Sequence, residues 1–342
     1  MTPAGPVGVG LVGFGMAARD LHAPLIGAEP GLALRAVVSS DPSKVHRAVP
    51  AVPVVSTVDD LLTDEAVELV VVAAPTGAHF DVAAAALRAG RHVVVDKPLA
   101  VTVAEVDQLV ALAGDRQLAA FHQRRWDSDH LSLARCVHSG QLGRVATYQV
   151  RYDRFRPEVV DRWRERPGPG AGLLYDLGSH LVDQALQLFG PPATVWADVG
   201  TQRPGATVDD YFHLVLGYGA LRAILHAGSL VLAPGPRLEA HGDAGSFVWD
   251  GLDGQGAALL AGDRPGDAGW GSTGGAGTLT TVDGARPVDR VPGSYEVFYR
   301  GMVAAVRGAG PVPVPATEAR EVIRVLEAAL TSSAEGRTVP LR

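Results

Sequence analysis

Lysine is scarce in this chain, which makes its two lysines candidates for chemistry. Of the 30 basic residues, only Lys44 and Lys97 are not arginine. Guanidinium is planar and stays protonated, so a chain that otherwise uses arginine is expected to keep lysine where a compact, titratable ammonium is needed. Lys97 follows the apolar run 91–96 and precedes a proline. This places it at the carboxyl end of a strand, where open α/β sheets bind ligands; the alternative is an ordinary solvated loop position.

A second set of reactive residue types lies in and after the glycine-rich stretch 168–178. If residues 176–189 are helical, one polar stripe contains Asp176, His180, Asp183 and Gln187. The apolar stripe then contains Leu177, Leu181, Ala185 and Leu188. A carboxylate one turn from an imidazole can orient it and stabilise its charged form, which suits a histidine acting as a general base. The alternative interpretation makes Asp176 an N-cap and His180 a surface residue.

A glycine pattern near the start of the chain predicts a dinucleotide-binding turn. Residues 7–12 form an expected buried strand, followed by a helical stretch through about residue 28. The pattern Gly13-x-Gly15-x-x-Ala18 lies between them, in the order that places a pyrophosphate on a helix N-terminus. A second match to G-x-G-x-x-G begins at Gly8 and Gly10, which fall inside the strand. The expected cofactor contacts in the turn are Gly13, Phe14, Gly15, Met16 and Ala18.

The end of the second predicted strand decides which dinucleotide fits. A carboxylate there would hydrogen-bond the ribose 2′-hydroxyl and repel a 2′-phosphate. Ser39 occupies that position, and the nearest acid, Asp41, comes two residues later as a turn residue or N-cap. Ser39, Ser40 and Lys44 could together accept a 2′-phosphate. We therefore favour NADP, with NAD as the alternative if Asp41 turns back to the ribose.

Strands and helices alternate through the first 121 residues. The predicted strands are 7–12, 33–38, 53–55, 68–74, 91–96 and 118–121, and further predicted helices are 59–62, 77–89 and 103–113. Such alternation is typical of a parallel, doubly wound sheet, and thus of an α/β fold. Further cofactor contacts are expected after the later strands, at Pro75, Thr76, His79, Asp96 and Lys97.

The second half of the chain has the pattern of an antiparallel sheet. The predicted strands are 145–155, 194–201, 211–218, 221–229, 237–241, 246–250 and 279–282, and helices at 295–307 and 317–332 follow. Residues 251–284 are rich in glycine and are expected to be a flexible lid, an oligomer contact or a poorly ordered loop. We therefore expect a dinucleotide-binding domain at 1–121 and an α+β domain at 122–342.

Composition excludes several classes of partner. The net charge is −7, and the arginines are scattered, so no basic field exists for nucleic acid. No apolar run approaches the length of a membrane helix, and we expect a soluble cytoplasmic protein. The single cysteine, Cys136, cannot form an internal disulfide or supply a cysteine-rich zinc site, and no metal site is expected.

Four groups of residues, in this order, resemble the glucose–fructose oxidoreductase/inositol dehydrogenase (Gfo/Idh/MocA) family. They are Gly13-Phe14-Gly15-Met16-Ala17-Ala18-Arg19 with His22-Ala23-Pro24-Leu25-Ile26, then Asp96-Lys97-Pro98, then His122-Gln123-Arg124-Arg125-Trp126-Asp127, and Asp176-Leu177-Gly178-Ser179-His180. They span nearly the whole chain, and within the family the chain is most similar to scyllo-inositol dehydrogenases. The family usually has glutamate where this chain has Asp96.

The resemblance implies an N-terminal Rossmann domain and a C-terminal domain with a large, mainly antiparallel sheet, often used for homodimer or homotetramer contacts. It also implies a site between the domains in which Lys97, Asp176 and His180 act together on a small polyol or sugar. Further residues are expected to line the substrate pocket, with a structural role as the alternative for most of them: Arg125, Trp126, Asp127, Tyr152, Arg154 and Trp163.

The expected reaction is metal-free hydride transfer between NAD(P) and a secondary hydroxyl of an inositol-like polyol or sugar. One cysteine cannot hold the zinc of an alcohol dehydrogenase, and neither lysine has a tyrosine four residues before it, as a Tyr-x-x-x-Lys dehydrogenase requires. His180 would take the proton, Lys97 would stabilise the alkoxide, and Asp176 would orient His180 or bind a neighbouring hydroxyl. The alternatives are an aldose, keto-sugar or dihydrodiol substrate, or a nucleotide-binding regulator without turnover.

Overall fold

The computed structural model describes residues 5–341 and divides the chain into two compact units. The first unit contains the chain up to Gln123, together with Gly256–Trp270 and Tyr295–Arg320. The second contains Arg124–Gln255, Gly271–Ser294 and the chain from Glu321 onward. Two segments that the sequence placed in the second domain are therefore grouped with the first unit.

The first unit is built on a parallel sheet of six strands in the order β3-β2-β1-β4-β5-β6. Its strands are β1 (Val7–Val12), β2 (Leu32–Val38), β3 (Val54–Val55), β4 (Leu69–Val72), β5 (His92–Asp96) and β6 (Leu118–Phe121). Its helices up to this point are α1 (Ala23–Ala28), α2 (Pro42–Ala48), α3 (Val58–Leu62), α4 (His79–Arg88) and α5 (Val103–Ala113). Every residue of β1 and β4 is buried, as expected for a parallel sheet covered on both faces. The predicted doubly wound α/β sheet is confirmed.

The second unit is built on a sheet of nine strands in the order β14-β13-β12-β11-β7-β10-β9-β8-β15. They are β7 (Val145–Arg151), β8 (Thr194–Gly200), β9 (Tyr211–Tyr218), β10 (Leu221–Gly228), β11 (Leu238–Gly242), β12 (Gly245–Asp253), β13 (Gly274–Thr281), β14 (Gly284–Pro287) and β15 (Val339–Pro340). All neighbours pair antiparallel except β10 and β7, which are parallel. The predicted large, mainly antiparallel sheet is confirmed.

The remaining helices are α6 (Ser128–His138), α7 (Ser179–Phe189), α8 (Gln255–Ala261), α9 (Glu296–Val306) and α10 (Ala316–Glu335). The sequence did not predict α6. The expectation that 251–284 is a lid or poorly ordered loop was wrong, because the segment contains α8 and the strand β13, which pairs with β12 through seven residues. Within the described residues, no helix is both long enough and apolar enough to cross a membrane.

Candidate active site

The glycine turn after β1 has the geometry that the sequence predicted. The backbone N–H of Gly13 donates to the Val38 carbonyl at 3.0 Å, and its φ of +88° is in the left-handed region that favours glycine. A Cβ at Gly13 would also lie 2.8 Å from the Ala73 oxygen. Ala18 is fully buried where the helical segment packs against the sheet. The structure of the turn itself therefore requires Gly13 and a small residue at position 18.

Gly15 is different, because no feature of the protein requires a glycine there. Its φ is not positive, it is exposed, and a Cβ built on it would meet no atom within 4 Å. Helical backbone begins at the next residue, Met16, whose side chain is 65% exposed. Open space above a glycine at a helix N-terminus is what a bound pyrophosphate needs, since its oxygens approach the backbone N–H groups directly. The turn thus fits a dinucleotide.

The turn after β2 uses the carboxylate of Asp41 to cap the helix that follows. The Asp41 carboxylate caps α2 by accepting from the Lys44 backbone N–H at 3.0 Å, and it also accepts from the Ser43 hydroxyl at 2.7 Å. The N-cap role predicted for Asp41 is confirmed. The Ser39 hydroxyl accepts from the Asp41 backbone N–H at 3.1 Å, so this turn presents hydroxyls rather than a carboxylate at the end of β2.

His79, an expected cofactor contact, ties two strand ends together. Its Nδ1 lies 2.8 Å from the Pro98 carbonyl oxygen and its Nε2 lies 2.9 Å from the Ala74 oxygen. Burial is the main cause that lowers the pKa of His79. A short helical turn, Thr76–Ala78, directly precedes His79. Thr76 is also buried, whereas Pro75, just before this turn, is exposed. His79 therefore fixes the loops that follow β4 and β5.

Asp96 and Lys97 lie at the carboxyl end of β5, deep in the first unit. Lys97 is only 9% exposed, and its backbone N–H donates to the Asp96 carboxylate at 2.9 Å. The imidazole of His22 is fully buried, with Nε2 3.8 Å from Asp96 and Nδ1 2.6 Å from the Tyr299 hydroxyl. Burial alone would raise the pKa of Asp96, but contact with His22, together with the charge of Lys97, outweighs it and lowers the pKa to about 2. The solvated loop interpretation of Lys97 was wrong.

In the second unit, a π-helical turn precedes α7 and carries Asp176. The turn spans Leu174–Gly178, and the regular helix begins at Ser179. A π-turn has one extra residue per turn, so Asp176 departs from the regular spacing that predicted the polar stripe, whereas His180, Asp183 and Gln187 lie within the regular helix. His180 and Asp183 are buried, while Gln187 is exposed. The alternative with a surface His180 and an N-cap at Asp176 was wrong, since His180 is 4% exposed and Leu173 precedes the turn.

Asp176 is held between two arginines. Its carboxylate lies 3.1 Å from Nε of Arg164 and 3.8 Å from Nη1 of Arg154. These side chains line a small, partly open pocket within the second unit, with a cavity volume of about 20 Å³. Arg154 was among the predicted pocket residues but Arg164 was not, because the only signal for Arg164 is its position in an arginine-rich loop.

The arginines also connect Asp176 to two of the expected pocket walls. The Arg154 guanidinium lies 4.8 Å from the centre of the Tyr152 ring, and the Arg164 guanidinium lies 4.3 Å from the centre of the Trp163 ring. The Tyr152 hydroxyl accepts from Arg124 at 2.9 Å. Burial would raise the pKa of Tyr152, but the positive charges around it outweigh burial and lower it.

The other expected walls have structural contacts. Arg125 donates to the Asp183 carboxylate at 2.6 and 3.0 Å, which anchors α7. Asp127 is buried and accepts from Arg124 at 2.9 Å. The Trp126 carbonyl accepts from the backbone N–H of Ser294 at 3.1 Å. Among residues 5–341, no group of three or more His, Cys, Asp or Glu side chains is arranged to hold a metal ion.

Both units match models of known protein domains. Residues 7–123 match the oxidoreductase family, NAD-binding Rossmann fold, and residues 134–341 match the C-terminal alpha/beta domain of the same family. Together the two matches cover most of the chain.

Individual relatives match over nearly their whole length. The chain is 44% identical to the uncharacterized oxidoreductase YdgJ of Escherichia coli, over 97% of this chain and 98% of that protein. It is 42% identical to the scyllo-inositol 2-dehydrogenase (NADP(+)) IolW of Bacillus subtilis, over 97% of this chain and 95% of that protein. The solved structure of yvaA from Bacillus subtilis matches with a TM-score of 0.93 at 40% identity, covering 99% of each chain. The chain therefore belongs to the Gfo/Idh/MocA oxidoreductase family, with an NAD(P)-binding Rossmann domain, and is a dehydrogenase or reductase.

Proposed function

We propose that this enzyme transfers hydride between a secondary hydroxyl of a cyclic polyol or sugar and NADP. The observation that carries the proposal is the placement of Lys97, one of two lysines in the chain, which is buried at the carboxyl end of β5, an inner strand of the nucleotide-binding sheet. An ammonium in that position can stabilise an alkoxide as a hydroxyl is oxidised. The relatives named for scyllo-inositol and inositol oxidation support the polyol class.

The first unit would hold the cofactor. Bound NADP supplies the carbon that accepts the hydride in oxidation and returns it in reduction. The turn from Gly13 to Ala18 would bind the pyrophosphate with its backbone N–H groups. The hydroxyls of Ser39 and Ser40 and the ammonium of Lys44 would bind the 2′-phosphate. Asp41 is occupied as the cap of α2, which favours NADP over NAD.

The second unit would supply the proton transfer. We assign His180 as the base that takes the proton from the substrate hydroxyl and returns it in reduction. Lys97 stabilises the oxygen while it carries negative charge. Asp176, fixed by Arg154 and Arg164, orients His180 or binds a neighbouring hydroxyl. A homodimer or homotetramer built through the nine-stranded sheet remains a prediction, to be measured by light scattering.

Cofactor reduction with a panel of inositols, aldoses and aldonic acids tests the proposed function. We expect oxidation of at least one cyclic polyol or sugar, with a higher kcat/KM for NADP than for NAD. His180→Ala should reduce kcat by about 10²–10⁴-fold, the usual contribution of a positioned acid or base, while the Kd for the cofactor stays unchanged. Imidazole loses its proton near neutral pH, so the wild-type oxidation rate should rise across that range and the variant should lack this rise. Wild-type rates and an unchanged pH profile in His180→Ala would show that another group is the base.

Ser39→Asp tests the choice of cofactor separately. A carboxylate at the end of β2 would repel a 2′-phosphate and accept a hydrogen bond from a 2′-hydroxyl. We expect kcat/KM for NADP to fall by about tenfold or more, while kcat/KM for NAD is retained or rises. Asp41→Asn is the control, because it changes charge in the same turn but at the helix cap. An unchanged ratio of the two efficiencies in Ser39→Asp would place the selecting residue elsewhere.

A further inference from the structure

The pocket beside Asp176 contains more positive charge than its carboxylates balance. Five arginines line it, and they fall into two groups by what they contact. The lining arginines are Arg154, Arg156, Arg162, Arg164 and Arg203. The chain as a whole has a net charge of −7, so a local excess of positive charge is not expected from its overall composition.

Two of these arginines are committed to the fold. Arg203 donates to Asp210 at 2.8 Å and lies 3.2 Å from Glu165. Arg162 donates to the same Glu165 at 2.9 Å. Glu165 also accepts from the Val160 backbone N–H at 3.1 Å, and Arg203 donates to two loop carbonyls. These contacts fix the loop that carries the other arginines and leave little charge for a ligand.

Two of the other three arginines share the carboxylate of Asp176, and the third, Arg156, has no ion pair within the described residues. Arg154 and Arg164 both reach Asp176, and neither has another acidic partner within the described chain. Arg156 is exposed at the rim, and within residues 5–341 its guanidinium has no ion-pair partner. Partial burial, followed by the charges of Arg154 and Arg162, lowers the pKa of Arg156. Asp209 also lines the pocket, and burial raises its pKa to about 6. Three guanidinium groups therefore face two carboxylates, which leaves a local excess of one positive charge when Asp209 is ionised and of two when it is protonated.

We propose that this pocket is an anion subsite, and that the enzyme's substrate is a polyol or sugar carrying a phosphate or carboxylate group that binds Arg154, Arg156 and Arg164. The inference rests on the proposed function, because it assigns Asp176 to the substrate site. Guanidinium presents a planar fork that matches the oxygens of either group with two hydrogen bonds. A carboxylate would balance the single excess charge that is present when Asp209 is ionised, whereas a phosphate monoester dianion would balance the two that are present when Asp209 is protonated.

The geometry explains how an anion can bind next to a carboxylate. Asp176 is flanked by Arg154 and Arg164, so a ligand anion would approach guanidinium groups rather than the carboxylate itself. The same two arginines lie on the rings of Tyr152 and Trp163, which limits their movement. A substrate held by its anionic end would then place its hydroxyls toward Asp176 on the π-turn and His180 at the start of α7.

Matched substrates and one rim variant test the proposal with the full-length enzyme. The substrates are myo-inositol, an inositol monophosphate and glucuronate, each assayed with wild type, Arg156→Gln and Arg144→Gln. Arg144 is an exposed arginine of the same unit that does not line the pocket, so it controls for the change of net charge. Within residues 5–341 the side chain of Arg156 has no ion pair to lose, and its backbone hydrogen bonds do not depend on the side chain, so the variant should fold normally.

We expect wild type to prefer one of the two anionic substrates, and the preferred one identifies the group. For that substrate, Arg156→Gln should raise KM by about tenfold to a hundredfold with little change in kcat, as expected for the loss of a charge-assisted hydrogen bond. The KM for myo-inositol should not change, and Arg144→Gln should behave as wild type. Equal use of neutral and anionic substrates, with no effect of Arg156→Gln, would overturn the proposal and leave the proposed function intact.

Direct binding separates failure of the subsite from failure of the proposed function. Calorimetry with inorganic phosphate and with glucuronate, at constant ionic strength and without turnover, should show binding to wild type that Arg156→Gln weakens by at least tenfold. This result would support the subsite even if none of the three substrates were oxidised. Binding that is absent, or equal in the two proteins, would overturn the subsite even if polyol oxidation were confirmed.

Discussion

Two aspartates near the proposed catalytic residues differ in burial and in the partners of their carboxylates. One is Asp96, which directly precedes Lys97, and the other is Asp176. Asp96, in the first unit, is buried, and its carboxylate contacts His22 and the Lys97 backbone. Asp176, in the second unit, has an 18% exposed side chain and lies between two arginines that also face a pocket. The partners of Asp96 are fixed inside the protein, whereas those of Asp176 can be shared with a ligand. The first carboxylate therefore serves the fold around Lys97, and the second remains open to substrate.

Among the variants near Asp96 in the first unit, Lys97→Arg should cause the largest loss of activity. The variant keeps the charge, but a planar guanidinium does not fit a position that is 9% exposed and already surrounded by β5 and its loop. We expect Lys97→Arg to lower kcat by about 10²–10⁴-fold, nearly as much as Lys97→Ala, since both lose the positioned ammonium. Steady-state kinetics with the best polyol substrate measures this, with circular dichroism as the control for folding. Turnover near wild type in Lys97→Arg would show that charge alone matters there.

Asp96→Asn and Asp176→Asn test the comparison in terms of stability. The pKa of Asp96 is lowered from 3.8 to about 2, so its charge stabilises the folded state above about pH 4, and this contribution is lost as the pH falls towards 2. That shift corresponds to about 2 kcal/mol, so Asp96→Asn should lower the free energy of unfolding by about that amount at pH 7. Asp176→Asn should change it by less than about 1 kcal/mol, as for a partly exposed ion pair.

Urea unfolding at pH 7 and at pH 3 measures both variants. The difference between wild type and Asp96→Asn should shrink at the lower pH, because the wild-type carboxylate begins to lose its advantage there. Asp176→Asn should instead be recognised by its kinetics. Equal losses of stability in the two variants would remove the distinction between a carboxylate that serves the fold and one that serves a ligand.

The sequence predicted the architecture well where periodicity reflects burial. The bounds of β1, β6, β9 and α5 agree with the predicted ranges, because each is a continuous apolar run or an amphipathic stretch with clear ends. The helix α6 was missed because most of its buried residues are polar: Asp129, His130 and Ser132 lie inside the protein beside Leu133 and Cys136. A pattern of apolar residues cannot reveal a helix whose buried side chains are charged and hydroxylated.

The sequence indicated which residues are candidates for the site, but it did not predict how they are arranged. Scarcity identified Lys97, and spacing identified Asp176 and His180 as neighbours on one helical segment. The π-turn was invisible, since a single extra residue in a turn leaves no periodic signal in the sequence. The contact between Arg164 and Asp176 was also invisible, because it depends on the path of an irregular loop fixed by Glu165 and Arg203. Loop geometry of this kind is set by tertiary contacts rather than by local sequence.

The smallest expected effect on stability concerns Asp209. Its pKa is raised, whereas the pKa of Asp96 is lowered, so the two residues should change stability with pH in opposite directions. Burial raises the pKa of Asp209 from 3.8 to about 6, although its carboxylate accepts from the Leu174 backbone N–H at 2.6 Å and so supports the π-turn. A raised carboxyl pKa means that the folded state binds the proton more tightly, so this contribution is largest below about pH 4 and falls as the pH rises through 6.

Between pH 5 and pH 7, wild type should therefore lose about 1 kcal/mol through Asp209, and Asp209→Asn should show a flatter dependence. Urea unfolding at the two pH values measures this. Asp209 also lines the Asp176 pocket, so its titration could contribute to an activity change near pH 6 that would otherwise be assigned to His180. If Asp209→Asn keeps the rise of activity with pH while His180→Ala loses it, the rise belongs to the histidine. If Asp209→Asn abolishes the rise, protonation of Asp209 acts through the turn that holds Asp176, and the assignment of His180 as the titrating base is wrong.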